Sequence, residues 1–242
     1  MEVKYTMAHT ASRTSLGFEV IYNKTVTTIP NPVAYELTPS TTFTRGDMVV
    51  LTAGKVALAT AASVTDILGV MAETITSDAT TLMYGKVYDH PDNVYRVTFV
   101  DQLDSTATAG GTDNLIDTNL STSSNDVWNG ALLYVYAGTN AGCMRTVSDY
   151  VGADDKLIVT TPFPSACDTT TKYIMLGDGS EATSVINVGS TGIVLKDEDS
   201  IDANASNKDS GADVGPLVCV GVSKVADLML DVMIKRGCHV FG

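Results

Sequence analysis

The chain has 242 residues, 44% hydrophobic and 18% charged, with a formal net charge of −13. That length accommodates one large β domain or two smaller ones, and the composition is too apolar for an intrinsically disordered chain. An acidic surface repels phosphate backbones and anionic headgroups, and no Lys/Arg cluster offsets it, which argues against nucleic-acid and membrane partners.

Residues 1–16 read as an extended arm, polar, Thr-rich and without periodicity, of the kind that gains order against a neighbouring subunit. The segment lacks the apolar stretch of a signal peptide, and no run approaches bilayer-spanning length. Synthesis in a cytoplasm and a soluble product are therefore expected. Phe18–Tyr22 and Val33–Leu37 follow as short strands around the Pro30-Asn31-Pro32 break. The most informative stretch runs from Arg45 to Glu73: a strand at Met48–Thr52, a tight turn at Ala53-Gly54, and strands at Lys55–Ala59 and Ile67–Glu73. Gly46 and Gly54 allow positive φ at little cost beside β-branched and apolar runs. Thr81–Tyr88 and Val94–Asp101 continue the pattern around a His90-Pro91-Asp92-Asn93 turn. Threonine is abundant throughout and suits a pleated surface with one wet face.

The composition shifts at Gln102. Asp104–Asn125 carries few large apolar residues and reads as a loop or linker. Trp128, the single tryptophan, precedes strands at Ala131–Ala137, Met144–Tyr150, Lys156–Thr161 and Lys172–Leu176, and is expected to anchor their hydrophobic cluster. Gly177-Asp178-Gly179 reads as a hinge. Beyond it, Val185–Val188, Gly192–Leu195 and Pro216–Val225 are predicted strands, and Lys196–Asp213 an acidic surface loop. Asp227–Lys235 is read as a strand, although Leu228-Met229-Leu230 also fits the start of a short helix. The expected fold is all-β. A small barrel or sandwich domain comprises residues 17–101 and 180–242, a second antiparallel β subdomain is inserted at 102–179, and the N-terminal arm precedes both.

Chemical motifs are weak. The three histidines, His9, His90 and His239, lie in the arm, a turn and the C-terminal tail, and no G-x-S-x-G elbow accompanies them. Paired carboxylates for glycoside hydrolysis are a spatial matter that the sequence leaves open, though the obvious acids sit in loops. Asp197-Glu198-Asp199 with Asp202 offers oxygens to a calcium ion without the spacing of an EF-hand, and a solvated acidic loop is the simpler reading. Arg45-Gly46-Asp47 matches an adhesion tripeptide, but a strand entrance explains it. The sequons at Asn23, Asn119 and Asn204 carry weight only on a secretory route. Cys219 reads as a small core residue; Cys143 and Cys167 fall in one hairpin unit and are expected as free thiols. Tyr134 and Tyr136 share one strand face, either core or, with Tyr150, a stacking platform for a glycan. No catalytic, metal-binding or cofactor-binding residue is assigned, and the chain is expected to be a building part, not an enzyme.

Two patterns carry a resemblance. Gly46-Asp47…Gly54-Lys55-Val56…Asp66-Ile67-Leu68-Gly69-Val70 resembles the small β domain of tailed-phage capsid decoration (cement) proteins, with Pro216-Leu217…Val220-Gly221-Val222 as its later companion strand. Trp128-Asn129-Gly130-Ala131-Leu132, Gly138-Thr139-Asn140-Ala141-Gly142, Arg145, Tyr150 and Pro162-Phe163-Pro164 are similar to a β module inserted in phage structural proteins, with Cys143 where glutamine is common. The resemblance implies a virion protein on the outer capsid surface. Its implied partners are the major capsid protein and copies of itself, often as a trimer; a receptor- or glycan-binding module of a head or tail fibre is the alternative. An acidic protein suits the outside of a shell better than its DNA-lined interior.

Overall fold

The computed structural model describes residues 17–26, 28–120, 124–177, 185–203 and 215–241. The expected arm at 1–16 lies outside them, as do most of the predicted hinge and residues 204–213 of the predicted acidic loop. The fold is all-β. Its first strands are β1 (Glu19–Asn23), β2 (Val33–Glu36), β3 (Thr42–Phe43), β4 (Met48–Thr52), β5 (Lys55–Leu58), β6 (Ile67–Met71) and β7 (Ile75–Thr76). Then come β8 (Tyr84–Tyr88), β9 (Asn93–Val100), β10 (Leu103–Thr106), β11 (Ala109–Gly110), β12 (Asn114–Ile116), β13 (Leu132–Ala137) and β14 (Met144–Val151). The last are β15 (Lys156–Val159), β16 (Lys172–Met175), β17 (Val194–Leu195), β18 (Ser200–Asp202), β19 (Leu217–Lys224) and β20 (Met229–Ile234).

Three large sheets and a two-stranded antiparallel ribbon, β3-β7, result, and each large sheet curls until its edges approach one another. The first runs β2-β8-β6-β4-β5. Its outer strands meet where Leu37 bridges Val56, and the Lys55–Glu36 ion pair lies beside that seam. The second runs β17-β18-β9-β20-β19, with β1 also on β9, and closes through reciprocal backbone bonds between Ile193 and Leu217 at 3.2 and 3.3 Å. The third runs β10-β16-β13-β14-β15-β12-β11. Its two edge strands, β10 and β11, are joined by Ala107 and Thr108 alone, so chain continuity rolls this sheet into a barrel.

Local chemistry explains the first sheet. Ala53 (φ 50°) and Gly54 (φ 81°) turn β4 into β5 with both residues left-handed, the type I′ geometry that matches strand twist. Along β6, Val49 pairs with Gly69 and Val50 with Ile67, so Leu68 is an extra, bulged residue. The bulge lets Ile67 and Val70 face one core while Leu68 and Met71 face another. Only glycine fits at its centre: a Cβ on Gly69 would lie 2.1 Å from the Tyr88 carbonyl oxygen.

One core is shared by all three sheets. Tyr95, Val97, Phe99, Leu230 and Val232 meet Met48, Ile67 and Val70 from the first sheet and Ile174 and Leu176 from the third. Leu132, Tyr134 and Tyr136 pack on that same core while Leu133 and Val135 enter the Trp128 cluster inside the rolled barrel. Burial on both faces is why β13 is apolar at every position instead of alternating. Trp128 anchors that barrel cluster as expected, and Cys219 is a core residue.

Three expectations are corrected. Asp104–Asn125 is not a linker, because β10, β11 and β12 within it complete the rolled barrel, with Leu103, Ala107 and Leu115 as the apolar contacts. Val185–Val188 forms no strand; Asn187 and Ser190 close a turn there instead. Lys196–Asp202 is not a free surface loop. Asp197 accepts hydrogen bonds from the Asp199 N–H (3.2 Å) and the Ser200 hydroxyl (2.5 Å), reversing the chain so that β18 pairs in parallel with β9. At Asp227–Lys235 the strand reading holds from Met229, after a single 3-10 turn at Val225–Asp227.

Candidate functional site

With most sheet edges drawn together, β1 stands out. Among the described residues it pairs only with β9, through Glu19–Arg96, Val20–Tyr95, Tyr22–Val94 and Asn23–Asn93. Its other side offers unpaired backbone groups, the usual substrate for strand addition. The chain enters β1 through Gly17, whose φ of 72° and close approach to the Gly46 carbonyl exclude a side chain. The Phe18 N–H donates to that carbonyl at 2.7 Å, locking the start of β1 onto the strand-entry turn of β4.

Beside β1 lies a groove of about 400 Å³ lined by Phe18, Glu19, Val20, Ile29, Arg45, Gly46, Val70, Met71, Tyr88, Arg96 and Met229. Its exposed lining is more polar than apolar, with Glu19, Arg45 and Arg96 beside Val20, Ile29 and Met229, whereas Phe18, Val70 and Met71 belong to the core beneath. Arg96 is fixed: its Nε and Nη2 donate to the two Asp231 oxygens at 2.9 and 3.2 Å, and that bidentate bond holds the guanidinium pKa above its usual value. Arg45 is exposed and pairs with no carboxylate among the described residues. Close by, Tyr22, Val26 and Ile29 are each at least 40% exposed, and Ile29 is part of the groove wall.

The groups singled out in the sequence do not assemble into a reactive centre. His90 Nδ1 accepts from the Asp92 N–H (3.1 Å) and approaches Asn23 Nδ2 (3.0 Å), so it organises the β8–β9 turn. His239 is buried beneath the end of β6, and burial lowers its pKa. Its Nδ1 accepts from the Phe241 N–H, and its Nε2 is left without a hydrogen bond. His9 lies outside the described residues. Among the described residues no group of three or more His, Cys, Asp or Glu is disposed around a metal position. Asp197 is spent on its turn, and Asp202 pairs with Lys196 at 3.7 Å. Asp47 caps the strand entrance by accepting the Thr44 N–H at 2.6 Å, which accounts for Arg45-Gly46-Asp47 structurally. Tyr150 is fully buried, while Tyr134 and Tyr136 are half-buried against the shared core, so the stacking-platform reading of these three is not supported by their placement. The four cysteines are free thiols.

The second motif is a set of loop clamps. Gly138 (φ 74°) leaves no space for a Cβ beneath the Thr170 carbonyl. Asn140 exchanges hydrogen bonds with the Ser165 backbone at 2.9 and 3.0 Å, and Arg145 donates to the Pro162 carbonyl while stacking 5.3 Å from the Phe163 ring centre. The β1 groove was not legible as a motif. Its one signal was a pair of opposite charges, Asp231 in the otherwise apolar β20 and Arg96 as the single charged residue of β9. Compared with known proteins, the chain matches no family model, no curated protein and no solved structure.

Proposed function

We propose that this chain is a structural virion protein that binds the outer surface of a tailed-phage capsid as a homo-oligomer and stabilises the mature shell. The observation that carries the reading is where the resembling residues fall. Gly46, Asp47, Gly54 and Gly69 are the turn, cap and bulge of one curled sheet, and Trp128, Gly138, Asn140 and Arg145 are the anchor and clamps of a second. A resemblance concentrated in fold-determining positions supports a shared architecture put to a shared structural use. The major capsid protein is the proposed partner. The open β1 edge and the exposed apolar side chains near it suit contacts repeated over a lattice, where weak sites gain avidity. Binding only the mature shell would stabilise it by roughly 2.7 kcal/mol per site at a free concentration 100 times the dissociation constant.

The test is reconstitution. Mature particles lacking this protein should recover resistance to thermal disruption when it is added, and deleting residues 1–15 should reduce its occupancy. Failure of the intact protein to bind such particles refutes the reading. For the fibre alternative, Tyr150 is buried and Tyr134 and Tyr136 are half-buried against the shared core, and no other observation favours it.

A further inference from the structure

We infer that the groove beside β1 receives residues 1–7 of a second copy of this chain, added as an extra strand to the open side of β1. The inference deepens, and rests on, the homo-oligomer part of the proposed function.

Four observations converge on this occupant. The first is the edge: β1 has an unpaired side among the described residues and a groove running beside it. The second is sequence. Although residues 1–16 as a whole are aperiodic, Met1, Val3, Tyr5 and Met7 alternate with Glu2, Lys4 and Thr6, the pattern of a strand with one apolar face. Val3, Tyr5 and Met7 match the chemistry of Val20, Ile29 and Met229 in the groove. The third is charge. In a protein of net charge −13, the groove holds Arg45 without a carboxylate partner among the described residues, and Glu2 is the single acidic residue of 1–16. The Lys4 ammonium has a matching carboxylate in the exposed Glu19 of β1.

The fourth is reach. The segment joins the described chain at Gly17, itself part of the groove lining. Sixteen extended residues span roughly 50 Å. Nine residues, 8–16, separate Gly17 from the proposed strand, a connection of roughly 30 Å when extended and long enough to reach a neighbouring copy. In such an exchange each copy gives one strand and receives one, and the rotation between copies decides whether it closes into a ring or runs on as a filament.

The test uses the full-length chain in solution without any capsid, so its failure would leave capsid attachment standing. Glu2→Arg and Arg45→Glu should each weaken self-association, read by sedimentation equilibrium, by about tenfold, and the double variant should recover most of the loss. The Arg45 side chain is exposed, so its reversal leaves the core intact. In a mixture of ¹⁴N- and ¹⁵N-labelled protein, carbodiimide should join Lys4 of one label to Glu19 of the other. A monomeric protein, an association indifferent to both reversals, or Lys4–Glu19 links confined to one label would each overturn the inference.

Discussion

Replacing Asp117 by alanine tests the closure of the rolled barrel at its seam. Asp117 follows β12 near one edge of the sheet and is fully buried. Its carboxylate accepts the Ser105 hydroxyl at 2.5 Å and the Tyr173 hydroxyl at 2.8 Å, from β10 and β16 at the opposite edge, and the Asn119 N–H at 2.9 Å. Burial and then the adjacent carboxylate raise the Tyr173 phenol well above its ordinary pKa, so the hydroxyl is a donor at neutral pH. Alanine strands the Tyr173 donor inside the barrel at roughly 1–3 kcal/mol, while Ser105 is only half-buried and Asn119 is exposed, so both find water. The expected loss is about 2–3 kcal/mol, against about 1 kcal/mol for Tyr173→Phe, which removes one donor and strands nothing. Urea unfolding followed by Trp128 fluorescence measures both, since Trp128 sits in the same cluster. A loss below about 1 kcal/mol for Asp117→Ala would refute the seam.

Gly69→Ala should cost several kcal/mol, because its Cβ would meet backbone at 2.1 Å, whereas Gly54→Ala should cost only about 1 kcal/mol of left-handed strain in open space; equal unfolding midpoints would contradict the bulge assignment. Burial, together with Glu198 and Asp197, raises the pKa of Asp47 against the lowering effect of the Thr44 N–H, so this carboxyl favours the fold at acid pH and loses that contribution as pH rises through its folded value. At pH 7, Asp47→Asn keeps the Thr44 bond and relieves the repulsion, and should match or exceed the parent by up to about 1 kcal/mol, while Asp47→Ala should fall below it. His239 has the opposite sign: its folded pKa lies below the ordinary 6.5, so its contribution is complete above that value and is lost as pH falls toward the folded pKa. Between pH 7.5 and about 5.5 the parent should lose more stability than His239→Phe, the difference isolating the imidazole from Asp47 and from the neighbouring Asp89 and His90.

Strands whose residues alternate around strong turns were legible in the sequence: β4 and β5 follow directly from Met48–Leu58 with Ala53-Gly54 between them. What failed was non-local. β10 to β12 hide in a Thr/Ser/Asp-rich stretch because a barrel wall needs apolar residues on one face only, and Leu103 and Leu115 suffice. β18 has one large apolar residue, Ile201, and earns its place through parallel pairing with β9 from about a hundred residues earlier in the chain, which no local window contains. The Val185–Val188 apolar residues misled for the converse reason: Val185 and Ile186 are buried by packing, without a strand ladder. The β1 groove draws Glu19, Arg45, Tyr88, Arg96 and Met229 from separate strands and turns, so it exists only once the sheets have curled.

The central claim is that the protein is a major structural component of a virion's exterior. Quantitative mass spectrometry of purified virions tests it most directly. The account predicts a copy number comparable to that of the major capsid protein; a few copies per particle, or none, would contradict it.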